Sequence, residues 1–528
     1  MIKGLNIKDK ICNNPWAFIE RVLFVNILIV LCYIGLLSVY QMYPEGDIIE
    51  HIHVAYLTAI GEVPYRDFFE HHNPLLWYMF GWLVLLMEGN IEVIGIVSYI
   101  TFLFFLVGCW FLYKIVVEFL SNKSKPSGLL SVILVLCPSI FLYYLYFKPD
   151  NYMFVSLTIG IYYLFCYIRD KKRKDIVISF FSFWVSFLFI QKALLYYPVI
   201  GVIVLYLLYK KELGLKDFCL ASSIPVLGTL VCALVLYKMN MLELYWKSCF
   251  VFNNVMREHF GAWQVNYPFG FWEWSRYVFI VAGLFGLIFY KLENKYFRML
   301  FWLALYTFLL KCFYFAPHVY YWYEAYYFAV PVAVVSVMRL MNENKMFRLV
   351  LLIALQVYVG VIIYCFHFDL SLGMKRKDMG FIYDLIEKRM NKCDKVYSTI
   401  SNYNLFRKDL NYYWFIQGRL DIIGEKVGIH PIEDHNKIIE ENKPKVLLIA
   451  DVIDYYENMK GNKVYVSKID YDMVRKYYDY QSNGEDIAFK DGKLVVNETK
   501  EGMYILKPMY DTRKCQYNKE SGIFEYED

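Results

Sequence analysis

Stretches of about 20 mostly apolar residues recur along this chain, and they constrain its fold more than any other feature. A helix of that length spans the hydrocarbon core of a bilayer, where every backbone N–H and C=O must be satisfied within the segment itself. The first run, Val22 to Tyr40, is too long for the apolar part of a signal peptide and lacks a small-residue cleavage site. It is therefore expected to stay as an anchor. Composition agrees: the 528 residues are 58% hydrophobic and include 50 Tyr and 42 Phe, more than a soluble chain ordinarily carries. The formal charge of +5 is dispersed over short clusters and leaves no footprint for nucleic acid. Twelve cysteines lie mostly in apolar runs without metal spacing, so no disulfide framework is implied; Cys393 and Cys515, in the polar tail, are the pair open to bridging.

Charge orders the runs. Lys3, Lys8, Lys10 and Arg21 precede the first span and put the N-terminus in the cytoplasm. Further Lys/Arg clusters follow near 114–125, 169–175, 210–217, 290–298 and 339–348. If all are cytoplasmic, spans fall near 20–40, 92–119, 128–147, 151–168, 176–193, 194–209, 218–238, 276–290, 298–315, 321–338 and 347–367. The expectation is a polytopic α-helical membrane protein of about 11 spans, with the C-terminus outside. Leu75 to Met87 breaks the parity if it crosses, and at about 13 residues it is short for a span. It reads as an interfacial or re-entrant helix with Asn73 as N-cap and Pro74 at its first position. The stretch 41–91 then becomes one outer loop.

That loop is chemically dense. Residues 47–74 hold four of the nine histidines beside Asp47, Glu50, Glu62, Arg66, Asp67 and Glu70. Carboxylates at a membrane surface are costly and need partners, which points to a site. Residues 47–60 read as an amphipathic helix whose stripe Ile48, Ile52, Ala55 and Ala59 suits lipid or the helical bundle. Asp47, Glu50 and His51 share another face, and Gly61 and Pro64 supply the stop. Two helices with a polar elbow would present Asp47, Glu50, Arg66, Asp67, Glu70, His71 and His72 to one space.

The segments GDIIEHIH, GEVPYRDFFEHHNPLLWY and FKPDNYMF (147–154) resemble the GT-C type glycosyltransferases, in particular the protein O-mannosyltransferase and aminoarabinose transferase group. The resemblance covers residues 15–340 in architecture and these short motifs at residue level. It implies transfer of a sugar from a polyprenyl-phosphate donor, on the outer face of the membrane, to an acceptor on protein, lipid or envelope glycan. It implies no nucleotide sugar at the site. By the same resemblance Asp47 takes the place of the first loop's catalytic Asp. Glu70-His71-His72-Asn73-Pro74 stands for the acidic-basic-Pro-Pro stretch, and Lys148-Pro149-Asp150 for the Asp motif of the next outer loop. Ile48 replaces the Glu of the family's Asp-Glu pair, leaving Glu50 as substitute acid. Histidines replace Lys, which would make phosphate binding pH-dependent.

The chemistry fits those parts. A carboxylate takes the proton of an acceptor hydroxyl while cations receive the leaving phosphate. Asp47 is the expected base, with N-cap of the 48–60 helix as its structural alternative, and Asp150 is either an active-site acid or the N-cap of span 151–168. Arg66, His71, His72, Lys148 and Lys192 are candidate phosphate ligands. Against this, Lys192 also reads as a snorkelling anchor, and Arg66 as the partner of Asp67 in a surface pair. Glu324, among tyrosines at 316–331, would mark a sugar platform at an outer mouth. The histidines could instead hold a divalent metal with Glu50 and Glu70, but no HExxH-like signature supports it, so no metal residue is assigned. The aromatic segment 239–275 is a lid or an interfacial belt. Residues 375–528 read as a small extracytoplasmic α/β domain without a nucleotide fingerprint, set apart from a membrane domain at 1–374. A polyprenyl-diphosphate-glycan ligase or polymerase, or a lipid or solute transporter, remains the competing function. Transport is disfavoured because the charges gather at one face.

Overall fold

The computed structural model describes residues 15–41, 46–121, 123–136, 146–260, 294–313, 322–340, 344–346, 348–354, 356–357, 360, 383, 390–391, 393–398, 404–415, 420–449, 455–457, 463–465, 469–481, 487–490, 493–496, 502–510, 515–518 and 523–526. Three described helices are long and apolar enough to cross a membrane: Val93–Leu120, Pro149–Asp170 and Leu215–Lys238. Further helices run over Pro15–Gln41, Lys125–Leu136, Arg173–Phe189, Tyr197–Tyr209, Lys295–Phe313 and Trp322–Leu340. The expected span 276–290, and parts of 128–147 and 347–367, lie outside the described residues.

The Pro149–Asp170 helix is the hub, buried along nearly its whole length. Its start follows from local chemistry: Lys148 is extended, as a residue before proline prefers, and Pro149 occupies the first turn, where no N–H is needed. Thr101 ties it to the Val93–Leu120 helix through Tyr152 at 2.9 Å. Ser179 donates to the Gly160 carbonyl at 2.7 Å and ties it to the Arg173–Phe189 helix. By contrast Leu215–Lys238 exposes Leu227, Leu230, Val231 and Leu234, an apolar face suited to lipid.

The 46–91 region differs from its expected form. A helix does run over Gly46–Ala59, but every residue from 48 to 58 is buried, so it is not an amphipathic helix resting on lipid. One side packs on the Leu75–Leu86 helix, where a Cβ on Gly81 would lie 2.8 Å from the Ala55 carbonyl oxygen. The other side is covered by residues 404–415, more than 340 positions away in sequence. His53 Nε2 meets Asp409 Oδ2 at 2.5 Å, and its Nδ1 lies 3.2 Å from the Leu405 carbonyl. The Phe69 N–H donates to the Tyr412 carbonyl at 2.9 Å, and Trp414 Nε1 donates to the Phe69 carbonyl at 3.1 Å. Ile49, Ile52, Phe69, Trp77, Trp414 and Phe415 thus share one apolar core. His53 is tolerated inside because Asp409 and the Leu405 carbonyl meet its two ring nitrogens.

Asn73 is not the N-cap of the Leu75–Leu86 helix; Pro74 holds that position and no side chain caps it. Asn73 serves tertiary contacts instead, donating to the Phe187 carbonyl at 2.5 Å and accepting from Tyr245 at 2.8 Å.

Beyond residue 393 the described elements are mixed. Val396–Ser398 runs parallel to Val446–Ile449, which pairs antiparallel with Gly502–Leu506, and that strand with Tyr478–Gln481. The helix His435–Asn442 is capped by the Asp434 side chain. Cys393 is disulfide-bonded.

Candidate active site

Asp47 lies in the first turn of the Gly46–Ala59 helix, inside it rather than capping it. Its Oδ2 meets Lys148 Nζ at 2.5 Å, and the Asp47 side chain is 45% exposed against 9% for Lys148. The lysine is also held 5.0 Å above the Tyr146 ring. Burial of part of the Asp47 carboxyl opposes ionisation, but Lys148, with His51 and His72 behind it, outweighs this and holds the carboxyl below its ordinary range. The first loop and the Lys148-Pro149-Asp150 motif therefore meet directly.

One turn on, Glu50 and His51 face Glu70 and His72. Glu70 Oε1 accepts from the His71 N–H at 2.7 Å, the His72 N–H at 3.1 Å and His72 Nδ1 at 2.8 Å. Glu50 Oε1 lies 4.0 Å from His72 Nδ1. Burial, and then the neighbouring Glu70 and Asp47 carboxylates, push the Glu50 carboxyl well above its ordinary range. Burial and the adjacent His72 push His51 well below its own, and Trp77 Nε1 donates to His51 Nδ1 at 3.3 Å.

A second charge cluster adjoins the first, and Asp150 links them, its charge reaching His51. Asp150 sits in the first turn of its helix, after Lys148 at the cap, so the N-cap alternative does not hold. Lys192 Nζ binds Asp150 Oδ1 at 2.8 Å and also pairs with Glu324. Glu324, only 1% exposed, further binds Lys311 and Tyr196. Lys192 is thus a buried partner of two acids, not a snorkelling anchor at the interface.

Three expected ligands are placed elsewhere. Arg66 and Asp67 bind each other at 2.7 and 2.8 Å. Asp67 also accepts from the Val63 N–H at 2.7 Å, so the two form a clamp on an exposed turn. The His71 ring stacks on Phe69 and Phe415, and burial holds it well below its usual range, a neutral ring rather than a cation for phosphate. Its carbonyl is the useful group, accepting from Gln191 at 2.7 Å and Asn253 at 2.8 Å. Of the expected lid at 239–275, residues 261–275 lie outside the described residues. The reading missed Lys311, His53 with Asp409, and the whole 404–415 cover. Only Lys311 carried a signal, a lone charge in the apolar run 299–313.

Residues 71–242 match the family model described as dolichyl-phosphate-mannose-protein mannosyltransferase. A comparison with curated protein sequences finds no match. Among solved structures, ArnT from Cupriavidus metallidurans bound to undecaprenyl phosphate superposes with a TM-score of 0.56 at 11% identity, covering 86% of this chain and 98% of that one. The apo state of the same protein gives 0.54 at 11% identity, over 85% and 97%. An oligosaccharyltransferase from Archaeoglobus fulgidus, tethered to an acceptor peptide, gives 0.50 at 10% identity, over 90% and 74%. The chain shares the fold of these solved structures, and the family model that matches residues 71–242 agrees with the resemblance to glycosyltransferases read from its motifs.

Proposed function

We propose that this protein is a membrane glycosyltransferase that moves a sugar from a polyprenyl-phosphate donor to an acceptor hydroxyl on the outer face of the membrane. The observation that carries the reading is the Asp47–Lys148 pair, an open carboxylate joined to a buried ammonium at 2.5 Å between two outer motifs. Undecaprenyl phosphate bound in the similar ArnT structure supports the donor class.

In this mechanism donor phosphate draws the Lys148 ammonium away from Asp47, and the freed carboxylate recovers basicity. Asp47 takes the proton of the acceptor hydroxyl, the acceptor oxygen bonds to the anomeric carbon, and the bond from that carbon to phosphate oxygen breaks. Lys148 and Lys192 receive the phosphate charge. Glu324 holds Lys192 in place, and Asp150 and Glu50 shape the field around the reacting carbon. The acceptor class, whether protein, lipid or envelope glycan, stays open in this proposal.

The proposal extends to topology: about 11 spans, a cytoplasmic N-terminus, and a division into a membrane part at 1–374 and an extracytoplasmic α/β domain at 375–528. The disulfide at Cys393 supports an oxidising compartment for the latter. So does the seat of residues 404–415 against the outer loop.

The test is sugar transfer in membranes carrying wild type or Asp47→Asn at equal expression, with a panel of radiolabelled polyprenyl-phosphate sugars. Consumption of one donor by wild type, with a drop of roughly 10²–10⁴-fold in the variant, supports the assignment. Equal turnover by the variant moves the base to Glu50 or Asp150. Consumption of no donor by wild type overturns the donor class and favours a diphosphate-linked glycan or transport.

A further inference from the structure

Glu50, His51, Glu70 and His72 each offer one donor atom to a common space, and these atoms lie within 4.8 Å of one another. The two carboxylates are 5% and 0% exposed. Glu50 Oε1, which faces His72 Nδ1 at 4.0 Å, and Glu70 Oε2 are both buried without a hydrogen-bond partner. Buried carboxylate oxygens without partners are rare, because each forfeits its hydration with nothing in return, and two like charges placed together compound the cost. A doubly charged cation removes both penalties at once.

We propose that these four side chains bind a divalent transition-metal ion. Two imidazoles and two carboxylates match the preferences of zinc or manganese, and four ligands suffice for tetrahedral zinc. Glu50, Glu70 and His72 form the core. His72 can ligate through Nε2 while its Nδ1 keeps the 2.8 Å hydrogen bond to Glu70, whereas His51 joins with either ring nitrogen only by giving up the Trp77 hydrogen bond at 3.3 Å, so His51 is the weakest of the four ligands. The scaffold is prepared for such a load. Glu70 is fixed by the His71 and His72 backbone N–H groups, and the His71 carbonyl is pinned by Gln191 and Asn253. Fixed outer contacts of this kind orient ligands and sharpen affinity. The ligand spacing, two neighbours on a helix and two residues separated by one in a loop, matches no short metal motif, which is why the sequence does not announce the site. The proposal stands independently of the transferase reading, since it concerns only what the four side chains hold.

The experiment uses the full-length chain in detergent, freed of any affinity tag and stripped with EDTA. It is titrated with Co²⁺ followed by visible absorption, then with Zn²⁺ in competition, and zinc content is measured by mass spectrometry. The expected result is one Co²⁺ per chain, displaced by one Zn²⁺, with zinc X-ray absorption showing imidazole scattering. Glu70→Gln and His72→Ala should each weaken binding by about tenfold or more, and His51→Ala by less. A wild-type chain that takes up no stoichiometric metal overturns the proposal and leaves a proton shared by Glu50 and Glu70 as the occupant. A Co²⁺ spectrum that survives unchanged in both folded variants overturns it equally. Should both variants fail to fold, the wild-type stoichiometry and imidazole scattering decide alone.

Discussion

Replacing Glu324 with glutamine tests whether the buried charge cluster is built around that one carboxylate. The side chain is 2% exposed and is shared by Lys192, Lys311 and Tyr196. The substitution keeps shape and hydrogen-bonding capacity but deletes the negative charge. Lys192 retains Asp150 at 2.8 Å, whereas Lys311, whose side chain is 1% exposed, loses its contact with a carboxylate at Glu324. Breaking a buried pair from one side typically costs about 3–5 kcal/mol, since the remaining charge keeps its desolvation penalty. At an unfolding entropy of roughly 2 cal/mol/K per residue, a chain of 528 residues shifts by about 1 °C per kcal/mol, so the melting temperature should fall by about 3–5 °C. The assay is thermal unfolding of purified protein in detergent, followed by tryptophan fluorescence. Lys311→Met and the double variant complete a cycle, in which the double loss should fall short of the sum by about 0.5–3 kcal/mol. A Glu324→Gln variant that melts within about 1 °C of wild type, or singles that add without coupling, would refute the reasoning.

Two further predictions concern packing of the Gly46–Ala59 helix. His53→Ala removes the buried contacts to Asp409 and Leu405; it should cost about 1–3 kcal/mol and speed limited proteolysis of the 404–415 cover, read by gel against wild type. An unchanged cleavage rate would mean that this pair does not hold the cover. Gly81→Ala inserts a Cβ 2.8 Å from the Ala55 carbonyl oxygen, a backbone atom with little room to yield; a loss of about 1–3 kcal/mol is expected in the same melting assay. A neutral result would mean that the Gly46–Ala59 and Leu75–Leu86 helices are free to separate.

Much of this protein was legible from local pattern. Long apolar runs, a proline at the first turn after Lys148, and helix starts and stops are properties of neighbouring residues, and the Gly46–Ala59 and Leu75–Leu86 helices followed from them closely. The motifs at 46–53, 61–78 and 147–154 were legible for the same reason, since each is contiguous. What tertiary structure alone decided is which groups meet. The Gly46–Ala59 helix carries a stripe that suits lipid, yet it is enclosed, in part because residues 404–415 return to cover the side that carries His53, and nothing local encodes a partner that distant. Asp67 lies three positions before Glu70 but turns to Arg66, while Lys311 reaches Glu324 from another helix. The acids Glu50 and Glu70 look unremarkable twenty positions apart, and only their burial together leaves oxygens without partners. Local sequence sets the conformation of each segment through its own backbone, whereas the charge environment at the site arises from through-space distances between segments, which only the packed chain determines.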